Sequence, residues 1–148
     1  MVESSMITPH LTVRDAKAAI EFYKAAFGAV EKYSMPSLTG DGIMFAELEI
    51  GNSVIFLNDE FPEYGLESPA TLNGSPVTIH LQVDDADTWF NRAISAGATE
   101  IMPLDDMFWG DRYGRLIDPF GHYWSIASQI GDVSREEMMR QAAAELAG

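Results

Sequence analysis

Cysteine is absent from this 148-residue chain. That excludes disulfides, thiolate zinc sites and cysteine nucleophiles. Cations are scarce: 9 lysines and arginines stand against 23 aspartates and glutamates, a formal charge of −14. A surface this acidic repels phosphate backbones and anionic lipid headgroups, so neither nucleic acid nor a membrane is an expected partner. No stretch approaches the ~20 apolar residues that a membrane span needs. Met1 to Met6 contains Glu3 and no apolar run, which is unlike a secretory leader. A cytoplasmic location is the default expectation. A serine-triad signature, a phosphate-cradling glycine loop and a nucleotide fingerprint are also missing, and the glycines cluster only in turns.

What is present is a globular balance, 47% hydrophobic and 22% charged, in a length suited to one compact domain over residues 1–148. The chain also repeats itself. Thr8-Pro9-His10-Leu11-Thr12-Val13-Arg14-Asp15 reads like Thr78-Ile79-His80-Leu81-Gln82-Val83-Asp84-Asp85, about 70 residues further on. Each copy alternates and is rich in β-formers, so each predicts a strand. Each then meets an aspartate suited to cap a helix. The first helix is expected over Ala16–Phe27, with Ile20, Tyr23 and Phe27 on one face and Gly28 as its stop. The second is expected over Ala86–Ala96, with Trp89, Phe90, Ala93 and Ile94 inward and Gly97 as its stop. Further strands follow at Val30–Met35, Phe45–Ile50 and Ser53–Asn58, the last two flanking Gly51-Asn52, a strong hairpin signal. Arg112–Ile117 and Tyr123–Ser128 echo them around the turn Asp118-Pro119-Phe120-Gly121. Two βαβββ modules result, residues 6–60 and 77–130, joined by a loop at Phe61–Pro76. An amphipathic tail helix follows over 133–146, with Ser134 and Glu137 at capping-box spacing. The class is α+β. Each sheet would carry a helix on one face only, and two such sheets facing each other would curl into a half-barrel cup, the natural place for a ligand.

Four segments, in order, carry a family resemblance over nearly the whole chain. They are Thr8-Pro9-His10-Leu11 with Ile20-Glu21-Phe22-Tyr23; Ala46-Glu47-Leu48 with Ile50-Gly51; Trp109-Gly110-Asp111-Arg112-Tyr113-Gly114; and Asp118-Pro119-Phe120-Gly121-His122-Tyr123-Trp124-Ser125. With the tail Asp132-Val133-Ser134, they resemble the vicinal-oxygen-chelate superfamily, which includes glyoxalases, bleomycin-resistance proteins and extradiol dioxygenases. Within it they resemble the PhnB-like branch. The resemblance implies the two-module cup and a homodimer. It also implies a divalent metal held by one side chain on the first strand and one on the last strand of each module. Those positions fall on Thr8, Phe56, Thr78 and Ser125. Neutral hydroxyls and a phenyl ring do not hold a divalent cation against water. The resemblance therefore argues for the fold and against the metal, and no cofactor is expected.

The three histidines are His10, His80 and His122. His10 and His80 sit two residues beyond Thr8 and Thr78, hence on the same strand face. They read as a displaced metal site with Glu47, as proton-transfer or hydrogen-bonding groups for a ligand, or as polar lining. Glu47 and Glu49 share one strand face, which is either the cup or the solvent side of an edge strand. The run Asn58-Asp59-Glu60 reads as solvated. Trp109 suits stacking on a flat ligand, and Arg112 suits a carboxylate or phosphate-like group; alternatively Asp111 and Arg112 pair. His122 reads as a turn residue, and Trp124 as packing beneath the helices opposite Ser125. Two functions follow. One is a metal-free protein that binds a small organic molecule. The other is a metal-dependent lyase or dioxygenase with a site relocated to His10, His80 and Glu47. A third reading is an interaction module whose cup is filled by its own side chains. Whether any reaction is catalysed stays open at this stage.

Overall fold

The computed structural model describes residues 5–147. The reading of Met1–Met6 falls mostly outside them. The elements run β1 (His10–Val13), α1 (Ala16–Phe27), β2 (Val30–Pro36), β3 (Ile43–Ile50), β4 (Ser53–Asp59), α2 (Pro69–Leu72), β5 (Thr78–Gln82), α3 (Ala86–Ala96), β6 (Thr99–Asp106), β7 (Asp111–Ile117), β8 (Tyr123–Gln129) and α4 (Arg135–Ala147). Both module helices start as their caps require. Asp15 accepts from the Ala18 amide at 3.1 Å, and Asp85 from the Thr88 amide at 3.2 Å. Gly28 ends α1 in the left-handed region at φ 67°.

The strands form two four-stranded sheets of identical order, β1-β4-β3-β2 and β5-β8-β7-β6. In each, the first strand of the module runs parallel to the last, with His10 opposite Phe56 and His80 opposite Ser125. Strand β6 carries Pro103. A missing N–H is tolerated there because β6 is an edge strand. Its register slips between Glu100 and Met102 and again between Met102 and Asp105.

One face of each sheet is closed. Leu11, Val13, Ala46, Leu48, Ile55 and Leu57 are buried in the first, and Leu116, Trp124 and Ile126 in the second. Helices α1 and α3 pack on each other. Trp124 sits under both halves of the core, 4.7 Å from the Phe27 ring and 5.6 Å from Tyr23. The edge strands β1 and β5 adjoin along a groove of about 560 Å³ lined by His10, His80 and His122. The two sheets thus stand side by side within one chain, and the open face of neither is covered by the other.

Polar contacts lock the modules together. The Asp118 carboxylate is buried in the β7–β8 turn and accepts four hydrogen bonds. The donors are the Tyr23 hydroxyl at 2.5 Å, Trp124 Nε1 at 2.9 Å, and the Phe120 and His122 amides at 2.9 and 3.0 Å. Burial, reinforced by the Asp118 charge, pushes the Tyr23 hydroxyl well above its ordinary pKa of 10.0. His122 does more than turn the chain: its Nε2 bonds the Thr12 carbonyl of β1 at 3.0 Å. Arg92 donates to the Ala25 and Lys24 carbonyls at 2.7 and 3.3 Å, capping the end of α1 from α3.

Two sequence expectations change. Asn58-Asp59-Glu60 is not a solvated run. Asn58 is buried, and Asp59 accepts from the orphan amide of Ala16 at 2.8 Å and from Ile43 at 2.6 Å. Glu60 accepts from the Ser68 amide at 2.8 Å and from the Thr71 hydroxyl at 2.5 Å. Those contacts order the segment Phe61–Pro76, which holds a 3-10 turn at Pro62–Tyr64 and α2 rather than loop alone. The tail helix forms, with Ser134 accepting from the Glu137 amide at 3.2 Å, but it buries no residue. No helix of the described residues is long and apolar enough to cross a membrane.

Candidate functional site

Strand parity decides what the open faces display. In the first sheet Leu11, Ala46 and Leu57 point to the helix, so their neighbours point away. Register places Tyr33, Glu47, Phe56 and His10 in one row across that open face. In the second sheet Leu116 and Ile126 point inward, and Met102, Arg115, Ser125 and His80 form the equivalent row. The repeat therefore superposes His10 on His80, Phe56 on Ser125 and Glu47 on Arg115.

On the first face His10 stands in an aromatic nest. Its ring meets Phe45 and Phe56 edge-on at 6.0 and 5.8 Å, and those two rings lie 4.9 Å apart. The Asn58 amide donates to the Asp59 carbonyl at 2.5 Å, so its oxygen is left to accept from His10 Nε2 at 2.5 Å. The proton of His10 is thereby fixed on Nε2. Glu47 lies on the far side of Phe56 with no ion-pair partner among the described residues.

On the second face the histidine belongs to a hydrogen-bonded chain. Gln82 Nε2 donates to Asp111 at 3.4 Å, which leaves Gln82 Oε1 to accept from His80 Nε2 at 2.8 Å. His80 Nδ1 then accepts from the Ser125 hydroxyl at 2.7 Å. Trp109 Nε1 joins through Asp111 at 3.1 Å, and the Trp109 ring meets Tyr113 edge-on at 5.6 Å. Trp109 thus borders this face. Ser125 faces the open side and Trp124 the helices, as parity and the family position together required.

Arg112 leaves the site. It faces the helix side, donating to both oxygens of Asp87 at 2.8 and 3.1 Å and to Asp106 at 3.0 Å. The Asp87 and then the Asp106 hydrogen bonds hold its pKa above the ordinary arginine value. Asp111 does not pair with it. The open face carries Arg115 instead, which donates to the Thr78 hydroxyl at 3.2 Å and lies 5.9 Å over the Tyr123 ring. Counting by twos along β7 from Tyr113 would have found it.

The two open faces meet at the β1–β5 seam. A second cavity there, of about 350 Å³, is lined by Thr8, Glu47, Phe56, His80 and neighbours. Space of this size fits a small organic molecule.

A family model described as the Glyoxalase/Bleomycin resistance protein/Dioxygenase superfamily matches residues 5–126, and the chain belongs to that superfamily. The uncharacterized protein Rv0887c of Mycobacterium tuberculosis is 46% identical over 135 residues, covering 89% of this chain and 79% of that protein. The uncharacterized protein At5g48480 of Arabidopsis thaliana is 31% identical over 127 residues, 80% of this chain and 76% of that protein. Its X-ray structure gives a TM-score of 0.66 at 30% identity, over 84% of this chain and 99% of that one. The crystal structure of PA1353 from Pseudomonas aeruginosa gives 0.70 at 28% identity, over 85% and 98%.

The superfamily's divalent metal can be tested against these residues. Thr8, Thr78 and Ser125 offer neutral hydroxyls, Phe56 offers none, and the Ser125 hydroxyl is already given to His80. One chain does not gather His10, His80 and Glu47 into a ligand set either: Glu47 and His80 border one cavity, His10 and His80 the other, and Phe56 stands between His10 and Glu47. Among the described residues no group of three or more potential ligands is placed to hold an ion. The residues do not fit the metal.

Proposed function

We propose that this protein binds a small organic molecule without a divalent metal. The cup is built by two copies, the open face of one first sheet standing over the open face of the other copy's second sheet. The observation that carries this reading is the pair of uncovered faces. They display aromatic rings, two oriented histidines and opposite charges where the superfamily positions its metal ligands. A side-by-side chain leaves each half-cup without its opposite wall, and a second copy supplies it. The protein is then a soluble homodimer of the cytoplasm, and its ligand lies between His10, Phe56 and Glu47 on one side and His80, Ser125 and Trp109 on the other.

The test combines three measurements on untagged protein. Elemental analysis follows incubation with Ni, Zn, Fe and Mn; sedimentation velocity gives the mass; a thermal-shift screen of aromatic and anionic small molecules is run in EDTA. The expected result is a dimer without stoichiometric metal whose melting is raised by members of the panel. Stoichiometric metal lost on His80→Ala would overturn the reading in favour of a metal-dependent lyase or dioxygenase.

A further inference from the structure

Among the described residues three cations are half-buried: Lys24, Arg112 and Arg115. Lys24 pairs with Glu21 and Glu31 at 3.1 and 3.3 Å, and Arg112 with Asp87 and Asp106 at 2.8 and 3.0 Å. Arg115 has no carboxylate within 4.0 Å among the described residues, in a chain with 23 acidic side chains. Removing a guanidinium from water without a counter-charge is unfavourable, and the surplus is recovered when an anion arrives. The Arg115 fork has spent one donor on the Thr78 hydroxyl and rests over the Tyr123 ring, which holds its plane without neutralising it. In register beside it stand Ser125 and then His80.

We infer that Arg115, with the Thr78 hydroxyl and the Tyr123 ring, is an oxyanion subsite on the open face of the second sheet, and that the ligand carries a carboxylate or phosphonate group bound there. This rests on the proposed binding role of the same faces and names the chemical class of its ligand. The guanidinium offers a bidentate fork to either oxyanion. The flat remainder of such a ligand would lie toward Tyr113 and Trp109.

The experiment titrates the full chain with benzoate, phenylphosphonate and the neutral benzamide, followed by amide and arginine Nε–H chemical shifts. Benzoate or phenylphosphonate should move Arg115, Thr78 and Ser125, and which of the two binds tighter identifies the group. Benzamide should bind at least tenfold more weakly. Arg115→Gln should weaken the anion at least tenfold, Arg115→Lys should restore part of the loss, and Lys17→Gln, an equal charge change on the exposed side of α1, should do nothing. Benzamide binding this face as tightly as benzoate would overturn the anion subsite and leave the binding role standing. If no probe moves the face, both fall. If Arg115→Gln dissociates the dimer and leaves benzoate affinity unchanged, Arg115 is an interface cation and the subsite is overturned.

Discussion

The two modules share strand order, caps and register, yet their open faces differ in kind. Where the first places Phe56 beside His10, the second places Ser125 beside His80; where the first has Glu47, the second has Arg115. At these matched positions one face is aromatic and acidic, the other polar and basic. The capping aspartates and terminal glycines recur in both modules while the open faces differ, where a substitution disturbs no core. The histidines show it most directly. Both donate from Nε2 to a side-chain amide, but only His80 has a hydroxyl on its other nitrogen. The modules differ in the core as well, since the β7–β8 turn sends Asp118 to Tyr23 and His122 to Thr12 of the first module.

The largest effect is expected where that asymmetry carries stability. Asp118→Ala leaves the Tyr23 hydroxyl and Trp124 Nε1 buried without an acceptor and should cost about 2–5 kcal/mol in urea unfolding. A cost below ~1 kcal/mol would mean the modules do not depend on this link. Tyr23→Phe removes one donor to the same carboxylate and should cost about 1.5–3 kcal/mol. It also carries a pH signature. The folded pKa of Tyr23 lies above the ordinary 10.0, so its contribution is fully present below that value and is lost as pH rises through it toward the folded pKa. Stability measured from pH 9 to 11 should fall in the wild type and fall less in Tyr23→Phe.

Gly114→Ala sharpens the comparison of the cores. Its repeat counterpart is Ala46, fully buried. At Gly114 a Cβ would meet Phe90 Cε2 at 2.9 Å and the Leu104 backbone nitrogen at 3.1 Å. The same alanine that fits one module should destabilise the other by about 1–3 kcal/mol. The smallest expected effect is Phe56→Ser, which writes the second face's residue into the first. Loss of the ring contacts with Phe45 and His10 should cost about 0.5–1.5 kcal/mol beyond the apolar area that the half-buried ring gives up. The His10 Nδ1 nitrogen shift should move toward that of His80. An unmoved shift would show that the hydroxyl is placed by more than register.

Much of this was legible beforehand. The repeated Thr-x-His-Leu segments, the capping aspartates and the terminal glycines located both module helices, because caps and stops act within a few residues. Strand β6 was not named, since Pro103 and two register slips hide an edge strand's alternation. Asn58-Asp59-Glu60 misled because three polar residues in a row look solvated. Asp59 and Glu60 are held because β4 ends where the Ala16 amide of α1 and the Ser68 amide need acceptors. Arg112 and Arg115 show the same limit: both lie on β7, and which one is spent on acids depends on Asp87 of α3 and Asp106 of β6.

By itself the amino-acid order determined the two-module α+β fold and the shared strand face of His10 with Thr8 and of His80 with Thr78. These depend on local period and on residue chemistry. Only the tertiary structure decided that the sheets stand side by side, that Asp118 ties Tyr23 to Trp124, that each histidine's proton is set by Asn58 or Gln82, and that Arg115 is the unneutralised cation of the open face. Most of those are pairings between residues distant in sequence, and Gln82, though two residues from His80, is itself oriented by Asp111 on another strand; the chain's order does not say which partner arrives at hydrogen-bond distance.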